Sequence, residues 1–309
     1  MFADRPLTAG LHKLNTSLAF QQTTWVSIAG YDLKTGLTTN FIFGGADSLT
    51  GNAEGDLART RLTLKTSQTV LGASYGLTDR IEAGVLVPFG EARVSGNSTY
   101  TITDLTAQQV IYTESYDYEG RSSGIGDITL RGKMELLAGA ALNLAGGVDL
   151  RLPTGDEEKL LGAGATQTRL MLIGAVTQGN FTHHFNVGYT FVPGAKVFDE
   201  SRGSRGMINQ PDEFNYTFGG DLAIGGKVTV AADLIGRALL HSANLVREVN
   251  IFESSVYSNR GTVNLLLGAV GGKVLVANQW LLTASIAFAL NNSGVKPGLT
   301  PVIGFERAF

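Results

Sequence analysis

The sequence predicts an all-β protein that forms a transmembrane antiparallel β-barrel, with 12 strands as the expected count. Three observations lead to this prediction. Polar and apolar residues alternate in nearly every predicted strand, long and tight connections follow one another along the chain, and the 309 residues include 40 glycines but only 7 prolines. Such a composition suits many strands and tight turns, and strands that are apolar outside and polar inside are typical of a barrel in lipid.

The alternation is clearest at residues 126–136. Successive side chains of a strand point to opposite faces, so one face of this segment is apolar and the other carries charge. The apolar face has Ile128, Leu130, Met134 and Leu136, and the polar face has Asp127, Thr129, Arg131, Lys133 and Glu135. One such hairpin also fits a soluble β-sandwich, but its repetition along the chain favours a barrel wall.

The first 57 residues alternate more weakly than the rest. Residues 11–21 and 37–43 are two candidate strands, and the acidic, glycine-rich run 44–55 is a predicted loop. Downstream, the pattern indicates eleven strands. Because single-chain bacterial barrels have an even number of strands, we expect one further strand, followed by a long loop, within residues 1–57.

The eleven later strands are each identified by alternating side chains. They lie near residues 61–75, 81–89, 126–136, 142–152, 168–176, 181–191, 214–224, 228–237, 257–276, 280–290 and 299–309. In the long strand 257–276, the adjacent glycines Gly271 and Gly272 predict a β-bulge. Together with the N-terminal segment, these strands predict a single barrel domain spanning residues 1–309.

Tight turns connect one set of strand pairs, and long polar stretches connect the other. The long stretches are predicted at about 95–124, 153–164, 193–211, 241–255 and 291–298. Short periplasmic turns and long outer loops are typical of bacterial barrels. The sequence therefore predicts a protein of the bacterial outer membrane with both termini in the periplasm. Its start shows no signal peptide, so we expect Met1 to begin a processed, mature chain.

The composition argues against several classes of protein. A net charge of -3 gives no basic surface for nucleic acid, and the absence of cysteine avoids misoxidation in the periplasm. No run of 18 apolar residues predicts a membrane-spanning helix. We expect no cofactor, no metal site and no enzymatic activity. His183 falls on the lipid-facing parity, but spacing identifies no serine and acid partner for it, so His183 and His184 are expected to be interfacial residues.

Charged residues on the polar parity are expected to line the lumen and to form a constriction. They are Arg61, Lys65, Glu82, Asp127, Arg131, Lys133, Glu135, Asp149, Arg151, Arg169, Asp221, Asp233, Arg237 and Glu306. Such groups must stay hydrated or pair across strands, because an isolated buried charge is costly. One interpretation is a polar conduit that sorts solutes by size and charge. The other is a ladder of ion pairs that fills a closed lumen.

Aromatic residues fall at the ends of the predicted strands, which predicts two belts at the membrane interfaces. The belt toward the long loops contains Phe89, Phe191 and Phe214. The belt toward the tight turns contains Phe181, Trp280 and Phe309. As the terminal residue, Phe309 also resembles the aromatic terminus by which outer-membrane barrels are commonly recognised for assembly.

Two runs carry a resemblance to a known family. Residues 124–133 read Gly-Ile-Gly-Asp-Ile-Thr-Leu-Arg-Gly-Lys, and residues 149–164 read Asp-Leu-Arg-Leu-Pro-Thr-Gly-Asp-Glu-Glu-Lys-Leu-Leu-Gly-Ala-Gly. With residues 75–80 and the opening Arg-Pro-Leu-Thr at 5–8, the chain resembles the outer-membrane transporter family associated with meta-pathway phenol degradation. The resemblance implies a barrel for uptake or efflux of small, often aromatic or apolar, molecules.

The sequence leaves two main functions open. The leading one is a passive outer-membrane channel for small molecules, which cross a charged lumen. The alternative is a closed barrel that serves as a scaffold or binds a protein partner in the envelope, and a soluble β-sandwich is a third. The expected partners are outer-membrane lipid and lipopolysaccharide, a small-molecule solute and, on the alternative, an envelope protein.

Overall fold

The structure, a computed structural model, describes residues 4–43, 52–199, 204–208, 210–249, 253–277 and 279–309. The strands in these residues are β1 (Leu14–Ile28), β2 (Tyr31–Asp32), β3 (Leu37–Phe43), β4 (Glu54–Gly76), β5 (Ile81–Asp104), β6 (Gln109–Ile125), β7 (Thr129–Ala138), β8 (Leu142–Arg151), β9 (Gln167–Gln178), β10 (Phe181–Phe191), β11 (Ala195–Asp199), β12 (Ser204–Ile208), β13 (Asp212–Ile224), β14 (Val228–Val249), β15 (Glu253–Ala277), β16 (Trp280–Ala289), β17 (Val295–Pro297) and β18 (Thr300–Ala308). Within them, no helix is long and apolar enough to cross a bilayer.

Twelve of these strands close into one antiparallel barrel in the part of the chain that the structure describes. Neighbours pair in the order β1, β4, β5, β7, β8, β9, β10, β13, β14, β15, β16 and β18, and β18 pairs with β1. Closure gives every strand two partners, which removes the open edges that lipid does not tolerate. The predicted fold class and strand count are confirmed, and β1 is the strand expected in residues 1–57.

The wall is apolar on its outer face and polar on its inner face. Leu170 on β9 and Phe218 on β13 are each 50% exposed on the outside, whereas Asp149 on β8 and Asp233 on β14 are 5% and 7% exposed on the inside. A soluble protein has the opposite arrangement, with its large apolar residues buried. The pattern fits a wall whose outer face contacts acyl chains.

The height of the apolar band can be read from β10. Phe181 and Phe191 stand at the two ends of this 11-residue strand, and both face outward. With a rise of about 3.4 Å per residue and a tilt of about 40°, they are separated by about 25 Å along the barrel axis, which is the height of the apolar band in outer-membrane barrels. The two rings therefore stand at the levels expected for two interfaces.

Three predicted loops consist largely of strands. β5 and β6 pair from Phe89 and Ile125 out to Asp104 and Gln109, so the stretch 95–124 is a long hairpin. The stretch 193–211 contains the separate hairpin of β11 and β12, and β14 and β15 extend into 241–255. Strands that continue past the membrane have two wet faces, so apolar alternation does not reveal them. Of the predicted loop 44–55, residues 44–51 lie outside the described residues and the last two belong to β4.

The bulge predicted at Gly271 and Gly272 is wrong. Both residues pair in unbroken register with β14 and with β16, and the irregularity lies nearer the turn, between Leu275 and Ala277. A Cβ atom at Gly271 would lie 2.5 Å from Cβ of Ser285. Glycine therefore permits a close approach of two regular strands here.

Candidate functional site

Residues 4–13, here called the lumen segment, lie inside the barrel at the end that carries the tight turns. Two inward-facing side chains of the wall bind its backbone. Ala9 N–H donates to Oε2 of Glu82 at 2.7 Å, and Nζ of Lys133 donates to the carbonyl of Leu7 at 2.8 Å. Hydrogen bonds to charged groups are stronger than those between neutral groups. The wall thus holds an extended piece of its own chain.

The two charged residues at the start of the lumen segment also form ion pairs with the wall. Nη1 of Arg131 lies 2.8 Å from Oδ1 of Asp4, and Nη2 of Arg5 lies 3.3 Å from Oδ2 of Asp221. A charge inside a barrel is costly unless it is paired or hydrated. These pairs therefore fix the position of the lumen segment and neutralise part of the wall.

The lumen segment reaches the rim of the barrel beside Gly76, the last residue of β4. His12 N–H donates to the carbonyl of Gly76 at 2.9 Å, and Gly76 N–H donates to the carbonyl of Lys13 at 3.0 Å. A Cβ atom at Gly76 would lie 1.8 Å from the carbonyl oxygen of Gly10. Any larger residue at this position would push the lumen segment away from the strand.

Asp149 on β8 is the centre of an ion-pair network next to the lumen segment. Nε and Nη2 of Arg131 donate to its two oxygens at 2.8 and 2.9 Å, and Arg169 on β9 forms a further ion pair with it. The two parallel bonds are the geometry that a guanidinium prefers with a carboxylate. Because Arg131 also pairs with Asp4, the network ties β7, β8 and β9 to the lumen segment.

Asp127 fixes the connection between β8 and β9. Its carboxylate accepts hydrogen bonds from the N–H groups of Gly155 and Ala163 at 3.0 and 2.8 Å, and it lies 3.0 Å from Nε of Arg151. All of these contacts satisfy a buried negative charge. Asp127 therefore holds the connection against the barrel.

His184 on β10 lies inside the lumen, so the interfacial position expected for it is wrong. Its Nε2 atom lies 2.6 Å from Oδ1 of Asp233, and its Nδ1 atom lies 3.6 Å from Oδ2 of Asp221. His183 faces outward, with its ring 4.5 Å from the ring of Phe181. The alternation of the strand separates the two neighbours onto opposite faces.

Twelve of the predicted lumen residues lie on the inner side of the wall. They are Glu82, Asp127, Arg131, Lys133, Glu135, Asp149, Arg151, Arg169, Asp221, Asp233, Arg237 and Glu306. Most of these residues form ion pairs across strands. Their role as a constriction stays a prediction.

Arg61 and Lys65 lie on the outer face, in contrast to the prediction. Lys65 lies directly opposite Arg93 in the register between β4 and β5, which is unbroken. Arg93 is four residues beyond the outward-facing Phe89 on β5, so both side chains face outward. Arg61, four residues further along β4, shares this face. Beyond the membrane both faces of a strand meet water, so the polar parity there does not identify the lumen.

The prediction missed two kinds of lumen residue. Lys273 faces inward on β15, and its Nζ atom lies 3.7 Å from Oε1 of Glu306. Trp25, Ile235 and Leu265 face inward although they are apolar. The parity of their strands places them inside, but a rule that assigns every apolar residue to lipid cannot find them.

Open space remains on both sides of Asp4. A cavity of about 590 Å³ lies beside the lumen segment, bordered by Asp4, Glu82 and Glu306. A cavity of about 410 Å³, here called the polar cavity, lies toward the long loops, and a smaller cavity of about 60 Å³ lies between it and Asp4. The charged side chains that line the polar cavity are Asp149, Arg151, Arg169, Glu213 and Arg237.

A second kind of cavity opens beside the polar one. It measures about 90 Å³ and is here called the apolar cavity, because Trp25, Leu265 and Leu267 form much of its lining. Ile235 and Arg237 line both cavities, so the two adjoin. The lumen thus offers an apolar recess next to a charged space.

The six predicted belt aromatics all lie exposed on the outer face of the barrel. They are Phe89, Phe181, Phe191, Phe214, Trp280 and Phe309. At the tight-turn end, the guanidinium of Arg307 lies 5.1 Å from the ring of Trp280 and 4.3 Å from that of Phe309. Such contacts are attractive between a cation and an aromatic face. Among the described residues, no group of three or more His, Cys, Asp or Glu side chains could hold a metal ion.

Comparison with known proteins gives a match to one family. The model of the family described as "Putative MetA-pathway of phenol degradation" matches residues 39–232. No curated protein matches the chain. Among solved structures, an outer membrane channel from Pseudomonas putida F1 is similar over 100% of both chains, with a TM-score of 0.65 and 14% sequence identity. At this identity, the similarity shows a shared barrel fold.

Other solved barrels are less similar to the chain. The toluene transporter TbuX of Ralstonia pickettii has a TM-score of 0.42 and 11% identity, over 99% of this chain and 92% of that one. The translocator domain of the autotransporter NalP from Neisseria meningitidis has a TM-score of 0.38 and 11% identity, over 97% of this chain and 89% of that one. Scores at this level do not separate one kind of barrel from another.

Proposed function

The chain belongs to the family described as "Putative MetA-pathway of phenol degradation", and from this premise we propose that it is an outer-membrane channel for small molecules, apolar and aromatic ones among them. The solutes cross through the lumen of the barrel. The proposal is supported by the apolar outer face, which suits a bilayer, and by the fold shared with a solved outer membrane channel.

The observation that carries the proposal is open space in a lumen that contains many charges. The wall charges are largely paired, as in Arg131 with Asp149 and Arg237 with Glu213. Nevertheless, cavities of about 410 and 590 Å³ remain on the two sides of Asp4. Paired charges present less of an electrostatic barrier than single ones, so a neutral solute meets a polar but balanced path.

The proposed orientation puts the tight turns and both termini in the periplasm. The long β5–β6 hairpin and the other long connections then face the outside of the cell, as is usual for bacterial barrels. A solute that enters from outside reaches the polar cavity first and then meets Asp4 of the lumen segment. On this proposal, movement of the lumen segment sets the width of the exit.

Lipopolysaccharide is the proposed partner of the outer face. Lys65, Arg93 and Arg121 occupy adjacent positions on β4, β5 and β6, and so form a row of cations. Glu91 pairs with both arginines, so that these four residues together keep an excess of positive charge. The row lies four residues beyond Phe89, which is about 10 Å for a tilted strand. Just beyond the acyl chains, this level suits the phosphate groups of lipopolysaccharide.

The test measures uptake of toluene by intact Gram-negative cells. Lipopolysaccharide slows the entry of apolar solutes, whereas a simple phospholipid bilayer lets them through, so the cells must keep their outer leaflet. Cells that produce the chain should take up labelled toluene faster than cells that produce an unrelated closed barrel. Equal rates in the two strains, at equal amounts of folded protein, would overturn the proposal.

A closed barrel that acts as a scaffold is the second candidate function. It is favoured by the hydrogen bonds from Glu82 and Lys133 and by the ion pair from Arg131, which hold the lumen segment in place. This candidate predicts a stoichiometric envelope protein that purifies with the barrel. It also predicts no conductance in planar bilayers, where the channel would conduct ions.

A further inference from the structure

We propose that the lumen contains a binding site for a small amphipathic acid, with its apolar part in the apolar cavity and its carboxylate at Arg237 in the polar cavity. The solute class is an aromatic or short-chain carboxylate. The inference rests on the proposed function and adds to its solutes a class that carries a negative charge beside an apolar group.

The lining of the polar cavity contains more guanidinium groups than carboxylates, and Asp127, which lies outside this lining, pairs with Arg151. The lining has three guanidinium groups, on Arg151, Arg169 and Arg237, against the two carboxylates of Asp149 and Glu213. The three arginine side chains are 43%, 36% and 48% exposed. A guanidinium has five N–H donors, and it binds carboxylates in fork geometry. The exposed part of these groups can therefore bind an anion without loss of the ion pairs to the wall.

Arg237 is held in a defined position at the boundary of the two cavities. Its Nε and Nη2 atoms both donate to the carboxylate of Glu213. Since two bonds fix the plane of the guanidinium, little entropy is lost when a further oxygen binds. Ile235, two residues away on the same face of β14, provides apolar contact at the same boundary.

The apolar cavity suits the apolar part of such a solute. Trp25 is fixed there by a hydrogen bond from Nε1 to Oγ1 of Thr66 at 3.2 Å, and Leu265 and Leu267 face the same space. An enclosed apolar cavity of about 150 Å³ is known to hold benzene. The apolar cavity measures about 90 Å³ and adjoins the polar one at Ile235 and Arg237, so a ring can lie across this boundary.

The lumen segment offers an internal example of this recognition. Asp4 is not part of the wall, yet its carboxylate lies 2.8 Å from Nη1 of Arg131. The small cavity beside Asp4 is also bordered by Arg169, which lines the polar cavity. The carboxylate of Asp4 thus binds an arginine of the wall, and the carboxylate of a solute would bind an arginine in the same way in the polar cavity, which lies nearer the long loops.

The test uses the full chain with Trp280→Phe, so that Trp25 is the single tryptophan and its fluorescence reports binding in the lumen. The probes are 4-nitrobenzoate, which is ionised at pH 7, and neutral nitrobenzene, which has the same ring and quenching group. We expect saturable quenching by 4-nitrobenzoate, with an affinity at least about tenfold higher than that of nitrobenzene, as one charge-assisted bond would give.

Arg237→Gln should weaken 4-nitrobenzoate by about tenfold and leave nitrobenzene nearly unchanged. The matched control is Lys227→Gln, which removes one positive charge from an exposed tight turn and should alter neither probe. Equal affinities for the two probes, or an unchanged 4-nitrobenzoate affinity in Arg237→Gln, would overturn the site. Toluene uptake by cells is measured separately. If the cells take up toluene but the quenching test gives the negative result, the site is overturned and the channel proposal still stands.

Discussion

Nη1 of Arg131 on the wall strand β7 lies 2.8 Å from Oδ1 of Asp4, so an ion pair joins residues 127 positions apart inside the lumen. The same arginine also donates to Asp149 on β8. Arg131 therefore links the lumen segment to two neighbouring strands of the wall.

Deletion of residues 1–9 should raise the single-channel conductance of the barrel in planar bilayers. The deletion removes the chain that lies between Glu82 and Arg131, and the cavities on its two sides then join. Glu82→Gln weakens one bond to the lumen segment, so it should give an intermediate conductance or more frequent opening. Conductance equal to that of the full chain in both variants would mean that the lumen segment does not obstruct the path.

Asp149→Leu should lower the free energy of unfolding by about 3 kcal/mol or more. Arg131 and Arg169 both pair with Asp149, and the substitution leaves these two partly buried guanidinium groups short of negative charge. The measurement is urea unfolding in detergent or lipid, followed by the mobility of folded and unfolded barrel. Glu119→Gln, at an exposed position on β6, is the control and should change stability by less than about 0.5 kcal/mol. A similar small change for both variants would contradict the prediction.

The barrel was predictable because lipid imposes a period of two on each strand. Asp149 and Leu150 are neighbours with opposite environments, and the same rule correctly separated twelve inward-facing charged residues from the lipid face. It would also have placed His184 in the lumen, since His183 was assigned to the outer face. Parity on a strand is a strong signal wherever one of its two faces meets acyl chains.

The rest depended on contacts that no local pattern encodes. The pairing of Asp4 with Arg131 joins distant segments, and the lumen segment itself has no periodicity. Arg61 and Lys65 were misplaced because their part of β4 extends past the membrane, where polar residues suit both faces. Trp25 was missed for the opposite reason: it is apolar, but it faces the lumen, where it lines the apolar cavity and does not contact lipid.

The tip of the β5–β6 hairpin should lose structure in acid. Asp104 Oδ1 accepts the N–H groups of Thr106 and Ala107, each at 2.8 Å, and Oδ2 accepts a bond from Asn52 at 3.0 Å. The N–H group of Ala107 is the largest cause of a lowered pKa for Asp104, followed by the Asn52 amide. A lowered pKa means that the carboxylate stabilises the tip at all pH values above the ordinary range of an aspartate, and that this contribution is lost as the pH falls through the lowered pKa.

Hydrogen exchange at Thr106 and Ala107 provides the measurement for the hairpin tip. Both amides should be protected near neutral pH and should lose protection, relative to the intrinsic exchange rate, as the pH falls through the lowered pKa of Asp104. Asp104→Ala should show the unprotected behaviour at every pH. If the two amides stay protected in this variant, the pairing of β5 with β6 alone holds the tip in place, and the prediction is wrong.

The last prediction tests the row formed by Lys65, Arg93 and Arg121. The double variant Lys65→Gln and Arg121→Gln should retain much less lipopolysaccharide through purification, since it removes two of the cations that face the phosphate level. The control removes the same charge from exposed tight-turn positions, with Arg80→Gln and Lys227→Gln, and should retain lipopolysaccharide as the unsubstituted chain does. Phosphate binding by exposed cations is screened by salt, so the difference should shrink at high ionic strength. If both double variants lose the same amount of bound lipopolysaccharide, the net charge of the protein and not the row of cations determines binding.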